Sequence, residues 1–251
     1  MIVFIRQLLS GLIILLIVSS CSKEKSKKNF TIARKATWEG VNLHGTEKKI
    51  QGFTNDLLFE IAHIEKAQFN IKSVETRGSL IPFLEDPTID AVLSVLEPTP
   101  VALKNYVFSE PFFTFGPVFV TKTSATIASL DDLKEKIVGF ERGLNVGYLR
   151  NDLQTVFRPY DQPTVAIEDL LTGNIDALVL DSVYAYQLAS GIYAGKIIIC
   201  PLRLPLIQFR AVVKKGVNEA FITIFNDGLK KIKESDTYEN MLKYWEIYGP
   251  H

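Results

Sequence analysis

The chain has 251 residues with 28 basic and 28 acidic side chains, so its formal net charge is zero. This balance offers no electrostatic surface for nucleic acid and argues against that class of partner. The three histidines (His44, His63 and His251) are scattered with no partner at metal-ligand spacing, and we expect no metal and no cofactor.

Residues 1–20 are predicted to be an export signal outside the fold. Arg6 precedes an apolar run from Leu8 to Val18, which is too short for a comfortable membrane span of about 20 residues. An uncleaved N-terminal anchor helix is the alternative, and either arrangement places the rest of the chain outside the cytoplasm. Residues 21–29 are charged and lack apolar periodicity, which predicts a flexible tether.

The segment Val18-Ser-Ser-Cys21 resembles the lipobox of bacterial lipoproteins. This resemblance implies that Cys21 becomes the lipidated first residue of the mature chain. Cys200 is then a single thiol, which cannot form an intramolecular disulfide.

Strands and helices are predicted to alternate along the mature chain. Residues 30–34 and 69–74 have strand composition, and the helix between them is predicted over 54–67 with Thr54 or Asn55 as its N-cap. Further on, the sequence predicts a capping box at Ser129, a strand over 137–140, a strand over 209–214 and two terminal helices.

An internal repeat indicates two similar halves. Residues 79–93 and 166–181 each read as a short helix, a turn, then Ile-Asp-Ala and an apolar strand, with the two copies 86 residues apart. A helix that feeds a buried strand is half of a βαβ unit, so the repeat predicts two parallel-sheet lobes. Chance similarity is the alternative explanation.

The central stretch, residues 89–122, carries a family resemblance. It contains Ser94-Val-Leu-Glu97, Thr99-Pro100 and Phe108-Ser-Glu-Pro-Phe-Phe113, and the chain later reads Ile175-Asp-Ala-Leu-Val-Leu-Asp181. In order and spacing these segments resemble the bacterial extracellular solute-binding proteins of family 3, the polar-amino-acid type. No single segment is specific, but their order over about residues 30–249 is.

The resemblance implies an α/β, two-lobe periplasmic-binding-protein fold of type II. It implies that lobe 1 comprises residues 30–119 and 211–251 and that lobe 2 comprises 122–207. The apolar segments 118–122 and 206–212 would be the strands that cross between the lobes.

The function that the resemblance implies is that of a receptor without catalysis. It would be the extracytoplasmic substrate-binding component of an ABC importer for a small polar solute, an amino acid or a related zwitterion. Its expected partners are that solute, a membrane permease and the lipid on Cys21, and we expect a monomeric, membrane-anchored lipoprotein in the periplasm or its equivalent.

The resemblance also implies several ligand-binding residues. Asp181 ends a strand where the family places the carboxylate for the ligand's amine; capping the helix that follows is the alternative, and the two roles can coexist. Trp38 occupies the place of the aromatic platform, with ordinary core packing as the alternative. Ser94 matches the serine that opens the first-lobe loop, and Asn145 is the polar side chain at the strand end of the second lobe.

Other positions depart from the family pattern. Ala102 stands where the family has the arginine that binds the ligand's carboxylate, Lys35 where an aspartate is common, and Glu97 where Ser or Thr is common. Arg77 falls near a pocket position that is usually aromatic. We hypothesise that Arg77, Lys35 or both bind an anionic group, while Asp181 and Glu97 bind a cationic group; the alternative is that Lys35 and Arg77 are solvated surface residues.

Two further functions remain open at this point. The first is a periplasmic dehydratase-type enzyme with Glu97 as general acid, although no nucleophile–base pair stands at a recognisable spacing. The second is a ligand sensor, or a lipoprotein that has lost solute binding.

Overall fold

The computed structural model describes residues 28–35, 46–76, 78–125, 127–144, 146–147, 155–200, 202 and 204–247. The strands and α-helices within these residues are β1 (Asn29–Lys35), α1 (Glu47–Glu65), β2 (Gln68–Val74), β3 (Ala91–Ser94), β4 (Tyr106–Phe108), β5 (Phe113–Phe115), β6 (Pro117–Lys122), β7 (Ile137–Glu141), β8 (Val156–Tyr160), α2 (Pro163–Thr172), β9 (Ala177–Asp181), α3 (Ser182–Ser190), β10 (Ile197–Ile199), β11 (Ile207–Lys214), α4 (Glu219–Lys233) and α5 (Thr237–Tyr244). None of the helices in these ranges has the length and apolarity needed to span a membrane.

The first sheet has the strand order β2-β1-β3-β11-β4, and β5 pairs with β11. Strands β1, β2 and β3 run parallel, whereas β11 runs antiparallel to β3, β4 and β5. Helices α1, α4 and α5 cover one face over a core rich in phenylalanine, in which Phe53 and Phe221 are fully buried. The parallel part of this sheet matches the prediction, and the antiparallel strands extend it.

The second sheet has the order β10-β6-β9-β7-β8. Strands β7, β8 and β9 are parallel, and β6 and β10 complete the sheet in antiparallel pairings. Helices α2 and α3 pack on one face and a second cluster that includes Phe119 and Val179 forms on the other. Because both faces are covered, its central strands are continuous apolar runs, as in Leu178-Val-Leu180.

The chain changes sheets twice, and both crossings lie at the same place. Phe115, the last residue of β5, pairs with Ile207 of β11, whereas Pro117, the first residue of β6, pairs with Asp181 at the end of β9. The first crossing is therefore Gly116, and the return runs between β10 and β11. A Cβ on Gly116 would lie 3.1 Å from the carbonyl oxygen of Pro205, so the two crossings are in contact.

This connectivity decides which edges of the sheets meet. The crossings leave the first sheet at the carboxyl end of β3, because β11 starts there and runs antiparallel to it. They enter the second sheet at the carboxyl end of β9, where Asp181 pairs with Pro117. The carboxyl edges of both parallel strand sets thus lie at the junction, which is where open α/β sheets bind ligands.

The internal repeat has a structural counterpart in both sheets. In the first, the carboxylate of Asp90 accepts a hydrogen bond from the Thr31 N–H (2.7 Å). In the second, the carboxylate of Asp176 accepts one from the Ile137 N–H (2.9 Å). Each Ile-Asp-Ala segment therefore ties its strand to the neighbouring parallel strand by the same contact.

One prediction about the elements was wrong, and two edge strands were not predicted. Helix α1 begins at Glu47, so Thr54 and Asn55 lie inside it, and the Thr54 hydroxyl donates to the Ile50 carbonyl (2.7 Å) instead of capping. Strands β8 and β10 were not predicted, because β8 contains Pro159 and β10 has three residues. Both are edge strands, where a proline or a short run is tolerated. The capping box at Ser129 is confirmed.

Candidate functional site

Three polar side chains form a row across the carboxyl edge of the first sheet. Ser94 at the end of β3 pairs with Arg210 of β11, and on its other side β3 pairs with β1 in a register that aligns Ala33 with Val92. Two residues further in that register, Lys35 stands beside Ser94. Paired residues point to the same face of a sheet, so the row Lys35–Ser94–Arg210 spans two strand spacings, or about 10 Å.

Arg210 is held in place by the strand and by a neighbouring loop. Its Nη1 donates to the Ser109 carbonyl (2.7 Å) and its Nη2 to the Gln208 Oε1 (2.6 Å). Its buried Nε has no hydrogen-bond partner among the described residues. The guanidinium is therefore oriented in advance while part of its donor capacity remains unused.

The segment Phe108-Ser-Glu-Pro-Phe-Phe113 supplies that support. Ser109 is buried, its hydroxyl accepts from the Ala211 N–H (2.9 Å), and its own carbonyl holds Arg210. The turn is fixed from the other side by Asn226, whose side-chain oxygen accepts from the Glu110 N–H (2.9 Å).

Two adjoining cavities lie along the row. The first, of about 290 Å³, is lined by Lys35, Ser94 and Arg34 together with Gly78, Ser79 and apolar side chains. The second, of about 320 Å³, is lined by Glu97, Thr99, Gln208 and Arg210 at the crossing. Leu96 lines both cavities, so they are neighbouring compartments of one site.

The charges of the two cavities differ. The second cavity combines the carboxylate of Glu97 with the guanidinium of Arg210. The first has Arg34 and Lys35, and none of its lining residues in the described part of the chain is acidic. The pair in the second cavity suits a group that carries both charges, whereas the first suits an anion.

Arg34 is a site residue that the sequence prediction missed. It is 8% exposed, and its Nη1 donates to the Lys35 carbonyl (3.2 Å). With the Gln51 amide oxygen turned toward it, that oxygen also accepts from both terminal nitrogens. Burial lowers the pKa of Arg34 from its ordinary value. The sequence of β1 contained the pattern that places Arg34 here, because Phe30, Ile32 and Arg34 alternate on the core face of the strand.

Asp181 lies at the junction and caps a helix. It is 3% exposed, and its Oδ1 accepts from the Val183 N–H (2.9 Å) as the N-cap of α3. The next residue, Ser182, bonds Gly116 of the first crossing through both its backbone N–H (2.8 Å) and its hydroxyl (3.2 Å). The capping role is thus present, Asp181 does not line either cavity described above, and its contact with the solute's amine stays a prediction.

Glu141 is a second buried acid at the carboxyl edge of the second sheet. It is 4% exposed and ends β7, and the strand alternation sets it on the opposite face from Phe140. Burial, with the charges of Tyr193 and Glu141 as smaller causes, raises the pKa of Tyr184 on α3. Glu141 therefore faces α3, away from the cluster that contains Phe140 and Val179.

The structure brings three of the predicted ligand-binding residues together, leaves Asp181 outside both cavities, and does not describe the other three. Lys35, Ser94 and Glu97 line the two neighbouring cavities, and Glu97 is exposed. Trp38, Arg77, Asn145 and Cys21 lie outside the described residues, although Gly78 and Ser79, which follow Arg77, line the first cavity. Ala102 is buried at 8% exposure at the start of a short 3₁₀ helix, Ala102–Lys104.

Two α/β lobes joined by two crossings, with charged strand ends at the junction, define a two-lobe periplasmic-binding-protein fold of type II. The family model of bacterial extracellular solute-binding proteins, family 3, matches residues 30–247. The chain belongs to this family.

Individual relatives match over most of the chain. The L-cystine-binding protein TcyJ of Escherichia coli K12 is 25% identical over 255 residues, covering 96% of this chain and 95% of the relative. The ABC transporter arginine-binding protein 1 of the same organism is 26% identical over 228 residues, covering 87% and 90%. The ABC transporter glutamine-binding protein GlnH of Bacillus subtilis is 26% identical over 205 residues, covering 78% and 73%.

Solved structures agree on the fold. The L-cystine solute receptor of Neisseria gonorrhoeae, in its unliganded open conformation, matches with a TM-score of 0.70 at 17% identity and covers 88% of this chain and 94% of its own. The substrate-binding domain 2 of Lactococcus lactis GlnP, also open, matches with a TM-score of 0.63 at 22% identity, covering 87% and 95%.

Proposed function

We propose that this solute-binding protein is the extracytoplasmic receptor of an ABC importer for a small zwitterionic solute, an amino acid or a close relative. The observation that carries the proposal is the row Lys35–Ser94–Arg210 at the edge where the two lobes join. Relatives named for cystine, arginine and glutamine binding support the solute class.

The chemistry follows from the charges on the two lobes. The first lobe offers the Arg210 guanidinium and the Ser94 hydroxyl, which can replace the water around the solute's carboxylate. The carboxylates of Asp181 in the second lobe and Glu97 in the first then bind the solute's ammonium group. Because the solute touches both lobes, its binding favours the closed arrangement over the open one.

The proposed lobes are residues 30–119 with 211–251 and residues 122–207. The two-sheet arrangement supports this order of segments with slightly earlier crossing points, because β6, from Pro117 onward, lies entirely in the second sheet and β11, from Ile207 onward, lies entirely in the first. Closure requires rotation at Gly116 and at the return segment before Ile207. We expect a monomer, because the two lobes of one chain suffice to enclose the solute.

We further propose that the receptor is not an enzyme and is tethered to the membrane by lipid on Cys21. The lipobox-like Val18-Ser-Ser-Cys21 supports the tether. Labelling of cells with a tagged fatty acid is expected to mark the wild-type protein and not Cys21→Ala, and the lipid mass should be found on the N-terminal peptide of the wild type alone. A wild-type protein that carries no lipid would contradict the tether and leave solute binding untouched.

A thermal-shift screen over amino acids, short peptides and organic acids tests the receptor function. A solute present at 100 times its Kd stabilises the folded protein by about 2.7 kcal/mol, which raises the melting temperature measurably. We expect at least one amino acid to do so without being converted. Stabilisation by no amino acid would contradict the proposal, and formation of a product would support the dehydratase-type alternative.

Arg210 provides the matched mutational test. Arg210→Gln removes a charged hydrogen-bond donor from the row, and the expected loss is about 10- to 150-fold in affinity. Arg158→Gln on β8, an exposed arginine of the second sheet, is the control and should bind as the wild type does. An unchanged Kd in Arg210→Gln would remove Arg210 from the site.

A further inference from the structure

The charged residues that line the two cavities indicate which groups the solute carries at its two ends. The second cavity has one acid and one guanidinium, Glu97 and Arg210, and the hydrogen bonds of Arg210 go to the Ser109 carbonyl and to Gln208. That set complements an α-ammonium and an α-carboxylate. A free amino acid could satisfy it without using the first cavity at all.

The first cavity therefore holds whatever extends beyond the amino-acid group. It contains Lys35 and the buried Arg34, no acid among its described lining residues, and the Ser94 hydroxyl at its border. Burying an arginine without a counter-charge is unfavourable unless a ligand or partner compensates it. The Nε of Arg34 has no hydrogen-bond partner among the described residues, and its terminal nitrogens donate to the Lys35 carbonyl and, in the swapped amide orientation, to Gln51, neither of which is an acid.

The two cationic anchors are separated along the row. Lys35 and Arg210 are two strands apart, or about 10 Å between backbones, and the two cavities adjoin at Leu96. A solute with a carboxylate at each end can therefore contact both anchors, whereas a solute with one carboxylate contacts one of them.

We propose, on the basis of the receptor function above, that the solute is an amino acid with a second, anionic end. Its amino-acid group lies beside Glu97 and Arg210, and its distal carboxylate lies beside Lys35 and Arg34. This class includes L-glutamate and also L-cystine, whose distal half carries a carboxylate. It does not include amino acids with a neutral or cationic side chain, such as L-glutamine and L-arginine.

Two matched ligand pairs test the distal charge by calorimetric titration of the wild-type protein. L-Glutamate and L-glutamine differ at one end, as do L-cystine and the mixed disulfide of L-cysteine with cysteamine, which lacks the distal carboxylate. In at least one pair, the member with the distal carboxylate is expected to bind about 10- to 150-fold more tightly. The inference is overturned if neither pair shows this preference, including the case in which only L-arginine or L-glutamine binds.

Lys35→Gln and Arg34→Gln assign the preference to the first cavity. Each should lower the affinity ratio within the preferred pair toward one, while binding of the partner without the distal carboxylate changes little. Lys72→Gln, an exposed lysine on β2 beside Asp86, is the control. A ratio that stays unchanged in both Lys35→Gln and Arg34→Gln, with melting temperatures showing that they fold, would overturn the assignment.

These outcomes separate the inference from the function on which it rests. Binding of L-arginine or L-glutamine alone supports a receptor and contradicts the anionic end. Binding of no amino acid contradicts both statements together.

Discussion

The indole ring of Trp245 lies directly against the backbone of Gly52. A Cβ added to Gly52 would come within 2.2 Å of the ring. The indole N–H donates to the Asp56 carboxylate (2.8 Å), one turn further along α1. The C-terminal segment is thereby locked onto the first helix of the first lobe, and a glycine is the residue that permits this approach.

Gly52→Ala is therefore expected to destabilise the first lobe even though alanine favours helix. The ring must shift and its bond to Asp56 is strained, and overpacking of this kind costs about 1–3 kcal/mol in the free energy of unfolding. Urea unfolding measures the effect. In the Trp245→Leu background, which lacks the indole ring, Gly52→Ala should cost less free energy of unfolding than it does in the wild type. Equal costs in the two backgrounds would contradict the contact.

The two aspartates of the internal repeat should differ in their effect on stability. Asp90 is 6% exposed and also accepts from the Asn218 side chain (2.8 Å), whereas the side chain of Asp176 is 39% exposed. Asp90→Ala leaves buried donors unpaired, which costs about 1–3 kcal/mol in the free energy of unfolding. Asp176→Ala is expected to cost less, because water reaches the freed Ile137 N–H. Equal losses would show that burial does not set the difference.

Asp181 has a capping role and a proposed binding role, and two substitutions separate them. Serine caps helices nearly as well as aspartate, whereas alanine loses about 0.5–2 kcal/mol of stability. Asp181→Ser is therefore expected to keep the melting temperature and to weaken solute binding, while Asp181→Ala loses both. If Asp181→Ser binds the solute as the wild type does, its carboxylate serves only the helix.

The capping box at Ser129 predicts a pH effect. A hydrogen bond from the Ala128 N–H is the largest cause that holds the pKa of Asp132 below its ordinary value. Hydrogen bonds from the N–H and the hydroxyl of Ser129 are the next causes. Because the pKa of Asp132 is lower in the folded state, its carboxylate stabilises the fold fully at pH values above the pKa of an unfolded aspartate, about 3.9. This stabilisation is lost as the pH falls through the pKa of the folded state. Asp132→Asn should thus be less stable than the wild type at neutral pH and similar to it in strong acid. A difference that persists at low pH would contradict the assignment.

Much of the first-lobe site could be predicted from the sequence. Lys35 and Ser94 end strands whose composition is clear, and parallel strands bring their carboxyl ends to one edge. Glu97 follows in the same loop. The family resemblance supplied the order of the elements, and the two Ile-Asp-Ala segments supplied the two sheets.

Arg34 and Arg210 were missed for different reasons. Arg34 lies on the core face of β1, where a charged residue is unexpected, and the family pattern indicated its neighbour Lys35 instead. Arg210 belongs to a strand that pairs only after the chain has crossed between sheets twice, and single-sequence patterns carry no information on that pairing. The start of α1 was misplaced because Gly52 is a weak helix residue, and its reason for being there is the distant Trp245.

Small-angle X-ray scattering of the purified protein with and without the solute that stabilises it most is the most direct test of the account. A zwitterion bound between the two lobes should draw them together, so the radius of gyration is predicted to fall at saturation, and to fall less in Arg210→Gln at the same solute concentration. A radius of gyration that does not change when calorimetry shows the site to be full would contradict binding by closure of the two lobes.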